Sequence, residues 1–162
     1  MSLTESESGD AGTRTYLRSG DPNSTIMDFA FHATTARDYL PVWLNNLADD
    51  VTLEGSLMNG AVQGPEAVRE VIGFIRTLYQ DQILDFAGPY GDDCFLEDYT
   101  VKVCGEPTAS LVKVTRNAAG QAQHVAAAYR PRKSLLLLSR LARERFAGTP
   151  IGEHFAIDGE EA

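Results

Sequence analysis

The spacing of apolar residues changes halfway along the chain. Apolar residues recur at helical intervals from about residue 23, again over residues 39–47, and most clearly after Pro65, where one face carries Val68, Val71, Ile72, Ile75, Leu78 and Tyr79. Residues 82–87, 93–104, 108–116 and 121–129 instead form four strand-like segments, separated by short turns rich in Gly, Pro and Asn. Short turns predict an antiparallel meander, and helices followed by strands predict an α+β fold with the helices packed on a curved sheet.

Residues 47–79 contain the most specific local pattern. The predicted helix over 39–47 ends near Ala48, and Val51 and Leu53 then alternate with polar residues, which predicts a short strand over 51–54. Asn59-Gly60 is a strong turn dipeptide and predicts a small hairpin between residues 57–58 and 61–62. The sequence from Gly64 to Glu66 then opens the long amphipathic helix, with Pro65 in its first turn.

Length and composition fit one globular domain in 162 residues. Residues 1–22 are polar and acidic and are expected to form a disordered tail, the domain should span 23–148, and residues 149–162 should form a polar tail. The net charge of −9 argues against a nucleic-acid partner. No segment approaches the roughly 20 apolar residues of a membrane span, and the N-terminus lacks the pattern of a signal peptide, so we expect a cytoplasmic protein without stable membrane insertion.

Cysteine and histidine spacing gives no sign of a metal or cofactor site. Cys94 and Cys104 are ten residues apart, which fits neither a CxxC motif nor a zinc pattern, and reduced thiols are the simplest interpretation. His32, His124 and His154 are scattered without spaced partners. We therefore expect neither a metal nor a cofactor.

A basic segment follows the last predicted strand. Residues 130–145 contain six basic residues and one acid, and residues 134–146 form a predicted helix with Ser134 as its cap and a leucine-rich face. This helix could pack on the domain or cover a pocket, join two copies of the chain, or bind an anionic membrane. The sequence leaves these alternatives open.

Two segments resemble a known superfamily. The patterns L-A-D-D-V-x-x-E-G over 47–55 and G-P-E-A-V-R over 64–69, in this order of elements, are similar to nuclear-transport-factor-2-like proteins of the SnoaL-like group, which includes polyketide cyclases and ketosteroid isomerases. The resemblance implies a cone: a curved antiparallel sheet wrapped around N-terminal helices, here with an extra C-terminal helix. It also implies a pocket at one end and a homodimer. The superfamily contains enzymes and non-enzymatic binding domains, so the resemblance does not name a reaction.

The best-known catalytic residues of this superfamily are absent here. Gly55 occupies the place of the ketosteroid-isomerase general base, Phe31 lies near the place of its oxyanion-hole tyrosine, and Val112 near that of its proton-donating aspartate. Leu53 and Gly55 likewise replace the water-holding residues of limonene-epoxide hydrolases, and Ala127 lies near the place of their aspartate. The resemblance therefore argues against both chemistries in their usual form.

The strand over residues 93–104 carries the remaining acidic candidates. Alternation sends Glu97 and Tyr99 to one face and Asp98 to the other. The resemblance to epoxide hydrolases favours the Asp98 face as the pocket wall, whereas hydrophobicity favours the opposite face. We take Asp98 first and Glu97 second as a candidate base, and Tyr129 as a hydrogen-bond donor to a developing enolate.

The expected function is binding of a small hydrophobic molecule of polyketide, steroid or terpenoid type, with cyclase, isomerase or hydratase activity as one possibility. The alternative is a non-catalytic module for protein interaction or dimerisation. The residues expected to line the pocket come from both helices and strands; they are Phe31, Trp43, Leu53, Gly55, Phe74, Tyr99, Val112, Val125 and Ala127.

Overall fold

A computed structural model describes residues 40–157 of the chain. Within that range the main elements are β1 (Leu47–Gly55), β2 (Ala61–Gln63), α1 (Pro65–Thr77), β3 (Tyr79–Tyr90), β4 (Cys94–Val103), β5 (Glu106–Arg116), β6 (Ala122–Arg130) and α2 (Arg132–Phe146). The expected acidic tail, the helix expected from about residue 23 and the candidate Phe31 lie outside the described residues.

The six strands form one curved mixed sheet in the order β2-β1-β6-β5-β4-β3. Strands β3 to β6 are the antiparallel meander predicted from the short turns. The expectation of a wholly antiparallel sheet is wrong in one place, because β1 and β6 are parallel, with Leu53 opposite Val125. These two strands are separated in sequence by β2, α1 and strands β3 to β5, and the chain returns beside β1 in the same direction.

The prediction of a helix over residues 39–47 is wrong. A 3-10 turn, Val42–Asn45, is followed at once by β1, and Leu40 is exposed rather than part of a buried stripe. Leu47 pairs with Ala122 of β6, and the backbone N–H of Ala122 donates to the Asn46 carbonyl at 2.8 Å. Pairing between strands distant in sequence therefore overrides the local helical spacing.

The small hairpin predicted around Asn59-Gly60 is also wrong in its pairing. β2 pairs with β1, with Leu53 opposite Val62, and Asn59-Gly60 lies in a longer loop between them. The C-terminal segment holds this loop: the Asn59 N–H donates to the His154 carbonyl at 2.7 Å, and the Asn59 amide donates to the Ala156 carbonyl at 3.0 Å.

Helix α1 has the amphipathic character that the sequence predicts. Its buried residues are Val68, Val71, Ile72 and Ile75, and Pro65 occupies the first turn. The last two residues of the predicted stripe leave the helix, because the chain turns at Leu78 and Tyr79 begins β3.

Helix α2 packs on the domain, against β5, β6 and α1. It begins two residues before Ser134, whose hydroxyl is not a cap and instead donates to the Pro107 carbonyl at 2.8 Å. Its buried side includes Leu138 and Phe146, whereas Leu136 is exposed. After α2 a 3-10 turn, Gly152–Phe155, buries Phe155 against the Phe146 ring at 6.0 Å between centroids, so the expected polar tail contains an apolar anchor.

No helix within residues 40–157 is long and apolar enough to span a membrane.

Candidate functional site

The inner face of the sheet brings a carboxylate and three phenols together. Alternation along β4 turns Glu97 and Tyr99 inward, and both are buried. The strand register places residues of β5 and β6 beside Glu97 and beside Tyr99, so each of the two belongs to a row across the sheet. One row contains Glu97, Val112 and Ala127, and the next contains Tyr99, Ser110 and Tyr129.

The three tyrosine hydroxyls form a chain. Tyr79, at the start of β3, lies in the middle, with 3.0 Å to the Tyr99 hydroxyl and 2.8 Å to the Tyr129 hydroxyl. Three hydroxyl hydrogens serve two hydrogen bonds within the chain, so one hydrogen remains to donate elsewhere. Such a hydrogen is suited to a ligand oxygen that enters the cluster.

Burial keeps these phenols protonated. It is the main cause that raises the pKa of Tyr79 and Tyr99 well above the usual value of 10.0, and it also raises the pKa of Tyr129. The neighbouring charge of Glu97 acts in the same direction on Tyr99 and Tyr129. At neutral pH the cluster therefore consists of hydrogen-bond donors rather than phenolates.

Ser110 is a second polar group at this point of the sheet. Its hydroxyl lies close enough to lower the pKa of Tyr99 and Tyr129, yet its oxygen is buried without hydrogen-bond geometry to any of the described residues. Buried hydroxyls are seldom left without a partner, so this oxygen offers a further acceptor or donor to a bound molecule.

A tryptophan orients the buried carboxylate. Trp43 in the 3-10 turn before β1 and Glu97 in β4 are each 1% exposed, and Trp43 Nε1 donates to Glu97 Oε1 at 3.1 Å. An indole N–H can only donate, so this contact holds an acceptor oxygen in a fixed position. Glu97 is therefore a carboxyl group placed in an apolar interior.

Asp98, the first candidate from the sequence, faces the other way. Its side chain is 36% exposed, and Arg130 Nη2 lies 3.4 Å from its Oδ1 on the outer face of the sheet. Of the two carboxylates, Glu97 is therefore the one on the inner face, as the hydrophobic alternation indicated. Tyr129 is buried on the same inner face as Glu97.

Most of the apolar pocket candidates share that face. Trp43, Leu53, Tyr99, Val112, Val125 and Ala127 are all buried and belong to one core cluster. Phe74 instead lies between the two helices, where its ring meets Phe146 edge to face at 5.6 Å. Phe74 is therefore placed at the contact between α1 and α2, and its role as a pocket residue stays a prediction.

Gly55 contributes close packing rather than a side chain. A Cβ at this position would overlap the backbone carbonyl oxygen of Ala127 in the parallel strand β6. The place where the resemblance expects a general base therefore has no room for any side chain in this backbone.

Three polar residues of the interior were not recognised as site residues from the sequence. The sequence pattern predicts Tyr79 on the core face of a helix and indicates no role for Ser110 or Gln82. A usable signal existed for Ser110, because it occupies an inward position between Thr108 and Val112 in a strand of strict alternation. Gln82 is inward only because β3 contains a bulge, which the sequence pattern does not reveal.

The outer face carries a separate polar group. His124 Nδ1 lies 2.8 Å from the Thr52 hydroxyl, and its Nε2 lies 3.1 Å from Glu54 Oε1, with both ionisable side chains well exposed. Within residues 40–157, no three His, Cys, Asp or Glu side chains cluster closely enough to hold a metal ion.

Comparison with known proteins supports the fold. No model of a known protein family matches the sequence, and no curated protein does. A steroid delta-isomerase from Pseudomonas aeruginosa is similar in structure, with a TM-score of 0.61 and 16% identity over 70% of this chain and 83% of that chain. An uncharacterized bacterial protein with a cystatin-like fold from Silicibacter pomeroyi DSS-3 gives 0.60 and 19%, over 66% and 75%.

A de novo designed protein with a curved β-sheet is also similar, with a TM-score of 0.51 and 17% identity over 65% of this chain and 85% of that chain. The chain shares the curved-sheet α+β fold of these proteins, which is consistent with the NTF2-like cone that its sequence resembles. At these identities the likeness concerns the fold alone and assigns no activity.

Proposed function

We propose that this SnoaL-like chain binds a small, largely apolar molecule of polyketide, steroid or terpenoid type on the inner face of its sheet. The observation that carries the proposal is the burial of Glu97 beside a hydrogen-bonded tyrosine cluster on one apolar face. Ligand sites commonly combine apolar walls with a few convergent polar groups. Leu53, Val112 and Val125 belong to the same buried apolar cluster and would form the apolar walls.

The tyrosine cluster would receive an oxygen of the ligand. The chain of Tyr79, Tyr99 and Tyr129 retains one hydrogen beyond its internal hydrogen bonds, and burial keeps all three phenols protonated. A ketone or hydroxyl oxygen would accept that hydrogen in a region from which water is excluded. Preorganised donors of this kind stabilise the negative charge that develops on an oxygen during enolisation.

Glu97 would supply the base in the catalytic form of this proposal. It lies two residues from Tyr99 on the same face of β4, a separation of about 7 Å along the strand. A ligand could then place its carbonyl at the phenols and an adjacent C–H bond at the carboxylate. Glu97 would remove that proton while a phenol donates to the enolate oxygen, and return of the proton to another carbon would complete an isomerisation without a redox cofactor.

Paired substitutions on neighbouring residues test the assignment. With a β,γ-unsaturated steroid ketone as substrate, ultraviolet absorbance reports the conjugated product. Glu97→Gln should lower turnover at least about 100-fold, the usual scale of general-base catalysis. Asp98→Asn, one residue away on the outer face, is the matched control and should leave turnover unchanged.

Binding is measured separately from turnover. Titration calorimetry with 2-naphthol, an apolar ring system carrying one hydroxyl, should show binding to the native chain and to Glu97→Gln, and weaker binding to Tyr129→Phe. Naphthol binding without turnover of the steroid ketone would leave a binding protein and remove the catalytic form of the proposal. Absence of naphthol binding would contradict the proposal as a whole.

A second candidate function is assembly through the outer face of the sheet. Ile83, Phe86 and Leu111 are large apolar residues exposed there, and the register places Phe86 and Leu111 on either side of Asp98. Apolar groups exposed together often mark an interaction surface. We propose that two copies of the chain form a homodimer through this surface. Light scattering should detect a dimer of the native chain and a monomer of the Leu111→Asp variant. A native chain that is monomeric would contradict the proposal.

We also propose a cytoplasmic location, which the free cysteines Cys94 and Cys104 support because reduced thiols are typical of that compartment.

A further inference from the structure

A polar pocket lies at the edge of the sheet, where α1 ends and β3 begins. Its volume is about 770 Å³, and its lining consists of Arg76, Tyr79, Gln80, Asp81, Gln82, Lys102 and Gly105. This composition differs from that of the apolar inner face. One residue belongs to both places: Tyr79 lines the pocket, and its hydroxyl is the middle member of the tyrosine chain.

A β-bulge shapes the pocket. Gln80 pairs with Lys102 and Ile83 with Thr100, so β3 uses one more residue than β4 between these two pairs. Asp81 takes up the irregularity with φ of +52°, a left-handed conformation that is uncommon for a residue other than glycine. The bulge turns the side chain of the following residue, Gln82, toward the interior of the protein. Without the bulge, this edge strand would direct its polar side chains outward.

Gln82 is the polar group that points to a ligand. Its side chain is 5% exposed, and its Nε2 atom has no hydrogen-bond partner within the described part of the chain. A buried amide N–H without an acceptor costs folding free energy. Native proteins rarely retain such a cost, so an acceptor group bound in the pocket is the simplest explanation for this side chain.

The charges of the lining favour an acidic ligand. Arg76 and Lys102 provide two positive charges and Asp81 one negative charge, in a chain whose net charge is −9. Lys102 Nζ lies 3.0 Å from Asp81 Oδ2, which fixes the lysine beside the bulge. The C-terminal end of α1 disfavours a nearby anion, but the positive charge of Arg76 in the last turn offsets that effect.

From these observations we propose that the pocket binds a carboxylate group, and that the ligand of the inner face is an amphipathic carboxylic acid. Gln82 and Arg76 are the donors to the carboxylate, and Lys102 adds positive charge. The apolar body of the ligand extends past Tyr79 to the tyrosine cluster. The inference rests on the proposed function, because it assigns one molecule to both places.

The test uses 4-(2-naphthyl)butanoic acid and its primary amide as probes, with titration calorimetry of the full chain. The acid should bind about tenfold or more tightly than the amide, as charge-assisted hydrogen bonds are stronger than neutral ones. Arg76→Gln and Gln82→Leu should each remove most of this preference and leave 2-naphthol binding unchanged. Lys113→Gln removes one positive charge from the exposed outer face and should leave the binding of both probes unchanged.

The outcomes separate this inference from the proposed function. Equal binding of acid and amide, with naphthol still bound, would overturn the carboxylate site and leave the apolar ligand. The native chain could instead bind the acid but not 2-naphthol, and lose acid binding in Arg76→Gln. That result would support the carboxylate site and contradict the apolar site. An acid preference that survives both pocket substitutions would overturn the assignment to Arg76 and Gln82.

Discussion

Trp43 Nε1 and Glu97 Oε1 are joined by a hydrogen bond of 3.1 Å between residues 54 apart in sequence. The bond connects the turn ahead of β1 with the middle of β4, and both side chains are buried. It makes the position of the carboxylate dependent on a residue that lies outside the meander. Stability and chemistry are therefore linked at this contact.

Trp43→Phe should destabilise the fold by more than loss of ring volume alone. Removing the donor leaves a buried acceptor without that partner, at a cost of about 1–3 kcal/mol. Urea unfolding measures the change, and the same substitution in a Glu97→Met background isolates the bond. Equal effects of Trp43→Phe in the two backgrounds would show that the bond contributes nothing.

Tyr129→Phe should lower the free energy of unfolding by about 0.5–1.5 kcal/mol, because it removes one hydroxyl from a buried hydrogen-bonded chain and preserves the ring. Tyr90→Phe is the matched control, since Tyr90 is 59% exposed and should change stability by less than about 0.5 kcal/mol. If both variants unfold at the same denaturant concentration, the tyrosine chain does not stabilise the fold.

Alkaline pH should unfold the chain through the same cluster. The folded-state pKa of Tyr79, Tyr99 and Tyr129 lies above the unfolded value of about 10, so the folded state holds these protons more tightly. The free energy of unfolding should be unaffected by these groups below pH 10 and should fall as pH rises through the folded-state pKa. The share of tyrosinate absorbance that belongs to these buried phenols should appear together with the loss of the circular dichroism signal. Ionisation of all six tyrosines before unfolding would contradict this.

Gly55→Ala should destabilise the chain by about 1–3 kcal/mol, because the added Cβ meets the Ala127 backbone carbonyl and not a flexible side chain. Gly73→Ala provides a control of opposite sign. Gly73 is exposed inside α1 with no atom near its added Cβ, and alanine there should stabilise the helix by about 0.5–1 kcal/mol. Thermal melting of the two variants should therefore shift in opposite directions.

The sequence predicted the elements whose local pattern agrees with their final contacts. The apolar face of α1 is continuous over three turns, and β4, β5 and β6 are bounded by strong turn residues, so these elements lie within about two residues of their predicted limits. The strand predicted over 82–87 is too short, because β3 spans Tyr79–Tyr90. The segment around Leu47 was assigned incorrectly, because its helical spacing is compatible with burial in either conformation. Only its pairing with Ala122, 75 residues later, selects the strand.

The candidate site could be predicted only in part for a related reason. Alternation in β4 is strict, so hydrophobicity alone places Glu97 inside. The comparison with catalytic positions of epoxide hydrolases favoured the Asp98 face and was the less reliable argument. Tyr79 and Gln82 could not be placed by the same argument. The first depends on where α1 stops, and the second on a bulge that shifts the phase of β3 by one residue.

The bulge at Asp81 also affects how this chain meets other chains. β3 is the outermost strand on one side of the described sheet, and a regular outermost strand offers a row of free backbone groups to any extended peptide. The left-handed conformation of Asp81 and the extra residue of the bulge interrupt that row near the start of β3. The exposed ion pair between Asp81 and Lys102 lies at the same place. The irregularity that turns Gln82 inward therefore also protects this edge from strand-to-strand aggregation.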